Sequence, residues 1–155
     1  MWSKNKSLTL SIVVCFVFLA VLTAGIFLCP WAVKLWFTSY RGWNGEGFAV
    51  QKMLTLFIWC YYPCAPFAYL TLYSLLKLLF NIKKGDIFIT QNVTCLRRIS
   101  WCCFAVAIIT FVGGFFYIPF LFVSVAATFV GLMLRVVKNV MQSAVEIKSE
   151  NELTI

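Results

Sequence analysis

The side chains best suited to metal or nucleophilic chemistry in this 155-residue sequence are seven cysteines: Cys15, Cys29, Cys60, Cys64, Cys95, Cys102 and Cys103. Cys60 and Cys64 stand four apart, a spacing that puts both thiols on one face of a helix. The chain has no histidine, however, and the pair lies within an apolar run. A zinc centre there would lack its usual partners, and both thiols read as small packed hydrophobes. The odd count and scattered spacing do not form a disulfide framework. No Walker loop, dinucleotide fingerprint, HExxH or GxSxG element occurs. The reading is of a protein that is not an enzyme, with no catalytic residue, metal site or cofactor.

A second chemical set surrounds two prolines. Pro63 and Pro66 fall in the middle of an apolar stretch that also holds Tyr61, Tyr62, Tyr69 and Tyr73. A proline inside a helix removes a backbone donor and crowds the carbonyl one turn back, so Pro63 and Pro66 mark an expected kink. Carbonyls freed at membrane depth need other donors, and the four tyrosines are candidates. They would either line a polar seam for a small ligand or pack internally; internal packing is the reading taken.

The third set is charged. Residues 81–98, NIKKGDIFITQNVTCLRR, form a long polar interval carrying Lys83, Lys84, Arg97 and Arg98. Lys-Lys-Gly-Asp reads as a turn, with Gly85 accepting a positive φ and Asp86 supporting the bend. Ile87, Phe88 and Ile89 make a short apolar patch. Thr90 is the expected N-cap of a helix that begins at Gln91 and presents Val93, Leu96 and Ile99 on one face. The basic residues suit lipid headgroups, but the apolar patch and capped helix exceed what re-entry into a membrane requires.

The elements that position these groups follow from hydropathy. The chain is 63% hydrophobic and 12% charged, where a soluble domain is nearer half apolar and a quarter charged. No Asp, Glu, Lys, Arg or His occurs in residues 8–33, 53–76 or 99–134. About 20 such residues span a bilayer as a helix. The expected architecture is all-α: one domain, residues 1–155, an integral membrane bundle of four transmembrane helices. The spans are expected at about 8–29, 53–80, 99–117 and 120–137. Pro30 and Trp31 mark the expected end of the first, followed by an aromatic interfacial loop over 32–47 with room for a short helix. Span two lies within 48–80, about 50 Å if straight, so part of it must tilt, bend or emerge. Pro119 sets the turn of a span three–span four hairpin, and Gly113, Gly114, Ala126, Ala127 and Gly131 allow close helix approach. The first apolar run is too long for a signal peptide core and is read as an uncleaved span. Neither end carries a lipidation motif.

The absence of charge at depth argues against an ion-coupled carrier, since such machines place ionisable groups there. The net charge of +8 instead sets orientation and draws anionic lipid. With both ends inside, ten basic residues lie on the cytoplasmic side (Lys4, Lys6, Lys77, Lys83, Lys84, Arg97, Arg98, Arg135, Lys138 and Lys148). Lys34, Arg41 and Lys52 lie opposite. The expected location is a bacterial cytoplasmic membrane, multi-pass, both termini cytoplasmic. Asn-x-Ser/Thr triplets at Asn5 and Asn92 then face the cytosol and are chance matches.

Residues 138–155 read as a cytoplasmic tail and continue span four as an amphipathic helix. Val136, Val137, Val140, Met141, Ala144 and Val145 recur on one side; Lys138, Asn139, Gln142, Ser143 and Glu146 occupy the other. Its far end is acidic through Glu146, Glu150 and Glu152, and closes on Leu153, Thr154 and Ile155.

Two stretches carry a resemblance: GDIFITQNVTCLRRISW at 85–101 and LRVVKNVMQSAVEIKSENELTI at 134–155. Together they resemble the YoaS-like family, small four-span bacterial membrane proteins of unknown function. Members carry a G-x-I-F-T-x-x-N-V-x-x-L-R-R element and an acidic E-N-D-L-T-I tail. Here Ile89 stands where the family often has Thr, and Glu152 replaces the usual Asp. Such genes often neighbour one for a small Cro/C1-type helix-turn-helix regulator, so the resemblance implies a membrane partner of a transcription factor. It supplies no catalytic residues.

The expected function is to bind or sequester that regulator, with no direct contact to nucleic acid. The partner-binding set is Phe88, Asn92, Arg97, Arg98, Glu146, Glu150, Glu152 and Leu153. Membrane lipids are the other expected partner, and a homo-oligomer is compatible with the sequence. The rival reading is a small transport, export or immunity component working through the Pro63/Pro66 kink.

Overall fold

The computed structural model describes residues 4–41 and 48–153. All regular structure among them is helical: α1 (Lys4–Arg41), α2 (Phe48–Lys84), α3 (Thr90–Gly114) and α4 (Pro119–Leu153). Each contains a stretch long and apolar enough to cross a membrane. The chain is a membrane protein with four such helices, as its charge-free runs require.

The helices pack in chain order. α1 lies on α2, α2 on α3, and α3 on α4; among the described residues no backbone contact brings α1 onto α3 or α4. The arrangement is therefore an open series rather than a closed four-helix bundle. The α3–α4 pair is the most intimate, and small residues are the reason. Gly113, Gly114 and Gly131 are all buried. A Cβ on Gly131 would sit 3.3 Å from both Cys103 and the Phe104 ring. Two hydroxyls reinforce the pair: Ser100 Oγ donates to Gly131 O at 2.8 Å, and Ser124 Oγ to Ala107 O at 2.9 Å. Interhelical bonds of this kind are worth about 0.6 kcal/mol each on average in a bilayer. Ala126, expected in the same seam, is exposed instead.

The first helix is longer than the span expected for it. α1 does not stop at Pro30; it runs on to Arg41, 38 residues in all. The expected loop over 32–47 is thus helical to Arg41, and residues 42–47, with Trp43, lie outside the described residues. Pro30 is accommodated because it leaves only one carbonyl without its helical donor, that of Ile26. Tyr62 Oη donates to that oxygen at 2.9 Å. Tyr61 Oη donates to Leu22 O at 3.2 Å. Thr23 Oγ1 bonds Leu19 O at 2.8 Å, which spends its only hydrogen. Tyr69 Oη, 2.9 Å from Thr23 Oγ1, must then be the donor between them. Three tyrosines of α2 therefore fasten α1. Gly25 makes room for this seam, since a Cβ there would collide with the Tyr61 hydroxyl.

α2 stays helical through Pro63 and Pro66. The tyrosines expected to answer the carbonyls freed by these prolines are committed to α1 instead, save Tyr73, which is exposed. The hairpin turn between α3 and α4 spans 115–118. Phe116 and Tyr117 both donate their amides to Gly113 O at 3.1 Å. Pro119 is the first residue of α4, where a missing N–H costs nothing and a fixed φ suits the helix. Beneath this turn an aromatic cluster joins Phe37 of α1, Phe57 of α2, Tyr117 of the turn and Phe120 of α4 at one end, with centroid separations between 5.0 and 6.4 Å.

At the opposite end the core is smaller. Leu78, Cys95 and Leu96 are buried together, with Leu75, Ile82, Leu134 and Met141 packed against them. α2, α3 and α4 meet there, beside the 85–89 connection.

Candidate functional site

The connection from α2 to α3 is built around Gly85, whose φ of +96° falls in the left-handed region. Gly85 N donates to Ile82 O at 3.1 Å, and Asp86 N to Asn81 O at 3.1 Å. This pair of bonds is a Schellman motif, which satisfies the last carbonyls of α2 and turns the chain sharply. The glycine turn read from the sequence is present.

The expected Thr90 cap is not. Helix α3 begins at Thr90 itself, behind an extended Ile89 (φ −130°, ψ 147°) that offers no side-chain cap. Asn92 organises this end instead. Its Nδ2 donates to Asp86 O and to Ile87 O, each at 2.8 Å, and its Oδ1 accepts from Asn81 Nδ2 at 2.8 Å. Asn92 is 0% exposed. An asparagine amide can donate twice from one atom and accept at the other, and here one residue satisfies two loop carbonyls and one helix-end amide. Thr90 lacks a second donor and could not hold both carbonyls. Asn92 therefore belongs to the interior of the loop and cannot offer its amide to a partner, a correction to its place in the expected docking set.

With the loop so held, Ile87 and Ile89 are half-buried while Phe88 is 46% exposed. Only one residue of the apolar patch is thus offered outward. Arg97 and Arg98 follow on α3, both exposed.

The tail is a direct continuation of α4, and the apolar face expected for it divides in two. Met141, Ala144 and Val145 are half-buried, and Met141 anchors in the core shared by Leu78, Cys95 and Leu96. Val136, Val137 and Val140 are exposed. Ile147, which the sequence reading passed over, joins Val136 and Val140 on this outward stripe. Lys138 and Gln142, assigned to the polar side, are half-buried on the bundle side with Met141. The bundle thus takes the boundary between the two faces rather than the apolar face itself. Glu146 and Glu150 are exposed, about 7 and 13 Å beyond Met141 along the helix axis. Gln142 Nε2 donates to Glu146 Oε1 at 3.1 Å. The side chains of Glu152 and Leu153, and residues 154–155, lie outside the described residues.

The loop and the tail are therefore joined at their bases. Ile82, one turn before Gly85, and Met141, at the root of the tail, pack on the same three residues. Comparison with known proteins places the sequence in a family. The profile of the family described as protein of unknown function, DUF2975, covers residues 4–155. The chain belongs to this family. It is also similar to the uncharacterized membrane protein YoaS of Bacillus subtilis (strain 168), with 26% identity over 166 aligned positions and 99% of each chain covered. No solved structure matches the chain. The family match takes in both motif stretches, 85–101 and 134–155.

Elsewhere the cysteines are free, and Cys60 Sγ packs against Gly113. Beside it, an apolar groove of about 940 Å³ opens between α2 and α3, lined by Trp59, Cys60 and Pro63 on one side and Ile109, Val112 and Phe116 on the other.

Proposed function

We propose that this protein is a non-enzymatic, four-span cytoplasmic-membrane protein that holds a small helix-turn-helix regulator at the membrane. Both termini lie in the cytoplasm, and the docking surface consists of residues 81–98 and the tail. The observation that carries this reading is the Asn81–Asn92 latch. A segment that merely re-enters the membrane needs no fixed conformation, whereas a recognition surface gains affinity from being held before its partner arrives. The latch fixes the loop that presents Phe88.

The tail supplies complementary charge. DNA-binding domains carry basic surfaces, and Glu146 and Glu150, with Glu152 next in the sequence, make the end of the tail acidic. Val140 and Ile147 place an apolar stripe alongside it. A regulator engaged through its basic face would be withheld from DNA, which amounts to sequestration.

The test is co-purification of a small Cro/C1-type helix-turn-helix regulator, of the kind that the resemblance implies, using the full-length protein, a version stopped after Val145, and Phe88→Ala. Recovery should fall sharply with the shortened protein and with Phe88→Ala. Equal recovery across all three sinks the reading.

A second reading rests on the groove at Pro63. As a transport, export or immunity component, the protein would lose its phenotype on Pro63→Ala and Trp59→Ala, both in the groove lining, and keep it when the tail is removed. The opposite pattern is expected here.

A further inference from the structure

A small cleft between α3 and α4 concentrates cations without a carboxylate. Arg97, Ser100 and Trp101 of α3 and Arg135 and Lys138 of α4 line a volume of about 130 Å³. Three of these five side chains are positively charged. Such a grouping is self-repelling unless an anion joins it.

Depth fixes where the cleft sits. Residues 99–134 contain no charge, and Arg97 and Arg135 bracket that interval from its two ends. Both therefore lie at one membrane interface, where lipid phosphates are found. Trp101 is exposed there, as suits an interfacial aromatic.

Arg135 is held in place by two rings. The Arg135 guanidinium lies 5.5 Å from the centroid of the Trp101 ring and 5.9 Å from that of Phe104. Stacking of this kind leaves the edge donors of an arginine free for a planar, bidentate contact. Lys138 Nζ donates to Asn139 Oδ1 at 2.8 Å and retains two further donors. Ser100 is a wall and not a ligand, because its hydroxyl hydrogen is committed to Gly131 O.

We propose that this cleft binds the phosphate of an anionic phospholipid headgroup. Arg97, Arg135 and Lys138 contact the phosphate oxygens, while the exposed Trp101 and the apolar surface below it receive the start of the acyl chains. The assignment takes Arg97 out of the regulator-docking set and leaves Arg98 in it. It stands independently of the regulator reading.

Native mass spectrometry of the purified full-length protein tests this, with phosphatidylglycerol and phosphatidylcholine supplied in turn. Phosphatidylglycerol should be retained in preference to phosphatidylcholine. Arg135→Gln and Lys138→Gln should each weaken its retention about fivefold, while Arg98→Gln, an exposed cation outside the cleft, leaves it nearly unchanged. The one bond of Lys138 is to its exposed neighbour Asn139, so Lys138→Gln should fold even if Arg135→Gln does not. An equal loss from Arg98→Gln would mean diffuse surface attraction and overturn a built site. Release of the lipid by inorganic phosphate would assign the cleft to a free anion and overturn the lipid assignment.

Discussion

Asn81 on the last turn of α2 donates its Nδ2 amide to Oδ1 of Asn92 on the first turn of α3, at 2.8 Å. This bond closes the base of the 85–89 loop. The other half of the Asn92 amide reaches the loop's own carbonyls at Asp86 and Ile87. One buried side chain thus ties two helices and the segment between them.

Asn92→Ala should destabilise the protein by about 1–3 kcal/mol, because the Asn81 amide and two loop carbonyls lose their partner. Thermal unfolding in detergent measures the loss. Hydrogen exchange at the amides of 85–89 should accelerate more than exchange within α3. Asn92→Asp keeps the acceptor but not the donors, so it should fail to restore slow exchange.

The Tyr62 hydroxyl and Pro30 form a compensating pair, since the proline removes the donor that the tyrosine replaces at Ile26 O. Tyr62→Phe should cost about 0.6–1.7 kcal/mol, the range for interhelical hydrogen bonds in a bilayer. In a Pro30→Ala background the helical N–H returns, and the same substitution should cost less. A double-mutant cycle by unfolding in mixed micelles reads the coupling; strict additivity would mean that the two residues do not act on one carbonyl.

Gly114 and Gly131 should differ in tolerance. A Cβ on Gly114 would meet Leu121 Cγ at 2.6 Å and Leu121 N at 3.2 Å, whereas on Gly131 its nearest neighbours stand at 3.3 Å. Gly114→Ala should therefore lower the unfolding temperature in detergent clearly more than Gly131→Ala. Overpacking of this kind costs about 1–3 kcal/mol.

Orientation is open to thiol labelling at two exposed positions, Ser149 and Thr38. Ser149→Cys should react with a membrane-impermeant maleimide only after permeabilisation, and Thr38→Cys in intact cells. The reverse pattern would invert the topology. The native Cys95 is a poor reporter, being only 4% exposed in the core at the loop base.

The four spans were legible because charge cannot enter the hydrocarbon cheaply, and the three charge-free intervals mark where the helices can lie. The Gly85 turn was legible for a similar local reason: only glycine takes that φ readily. What failed to show was anything settled by a distant partner. Pro30 reads as a helix end until Tyr62, 36 residues beyond Ile26, supplies the missing bond. Thr90 reads as a cap because its type is right, but the two carbonyls needing donors are reached by Asn92. The signal for that arrangement lay in two asparagines bracketing Gly85, 11 residues apart. The tail's apolar residues read as one face, but the structure divides them, because which part meets the bundle depends on the rotation of α4, which Met141 sets and no periodicity reveals.

The serial packing of the helices bears on how the protein is made. α2 finds its surface on α1, α3 on α2, and α4 on α3. Each segment after the first therefore meets a neighbour that is already in the bilayer, while the Ile26 carbonyl of α1 waits for the Tyr62 hydroxyl of α2. The α3–α4 hairpin, with the closest seam and the shortest turn, completes the array last. Assembly can thus proceed at the pace of synthesis, with little apolar-to-polar mismatch left exposed at any stage.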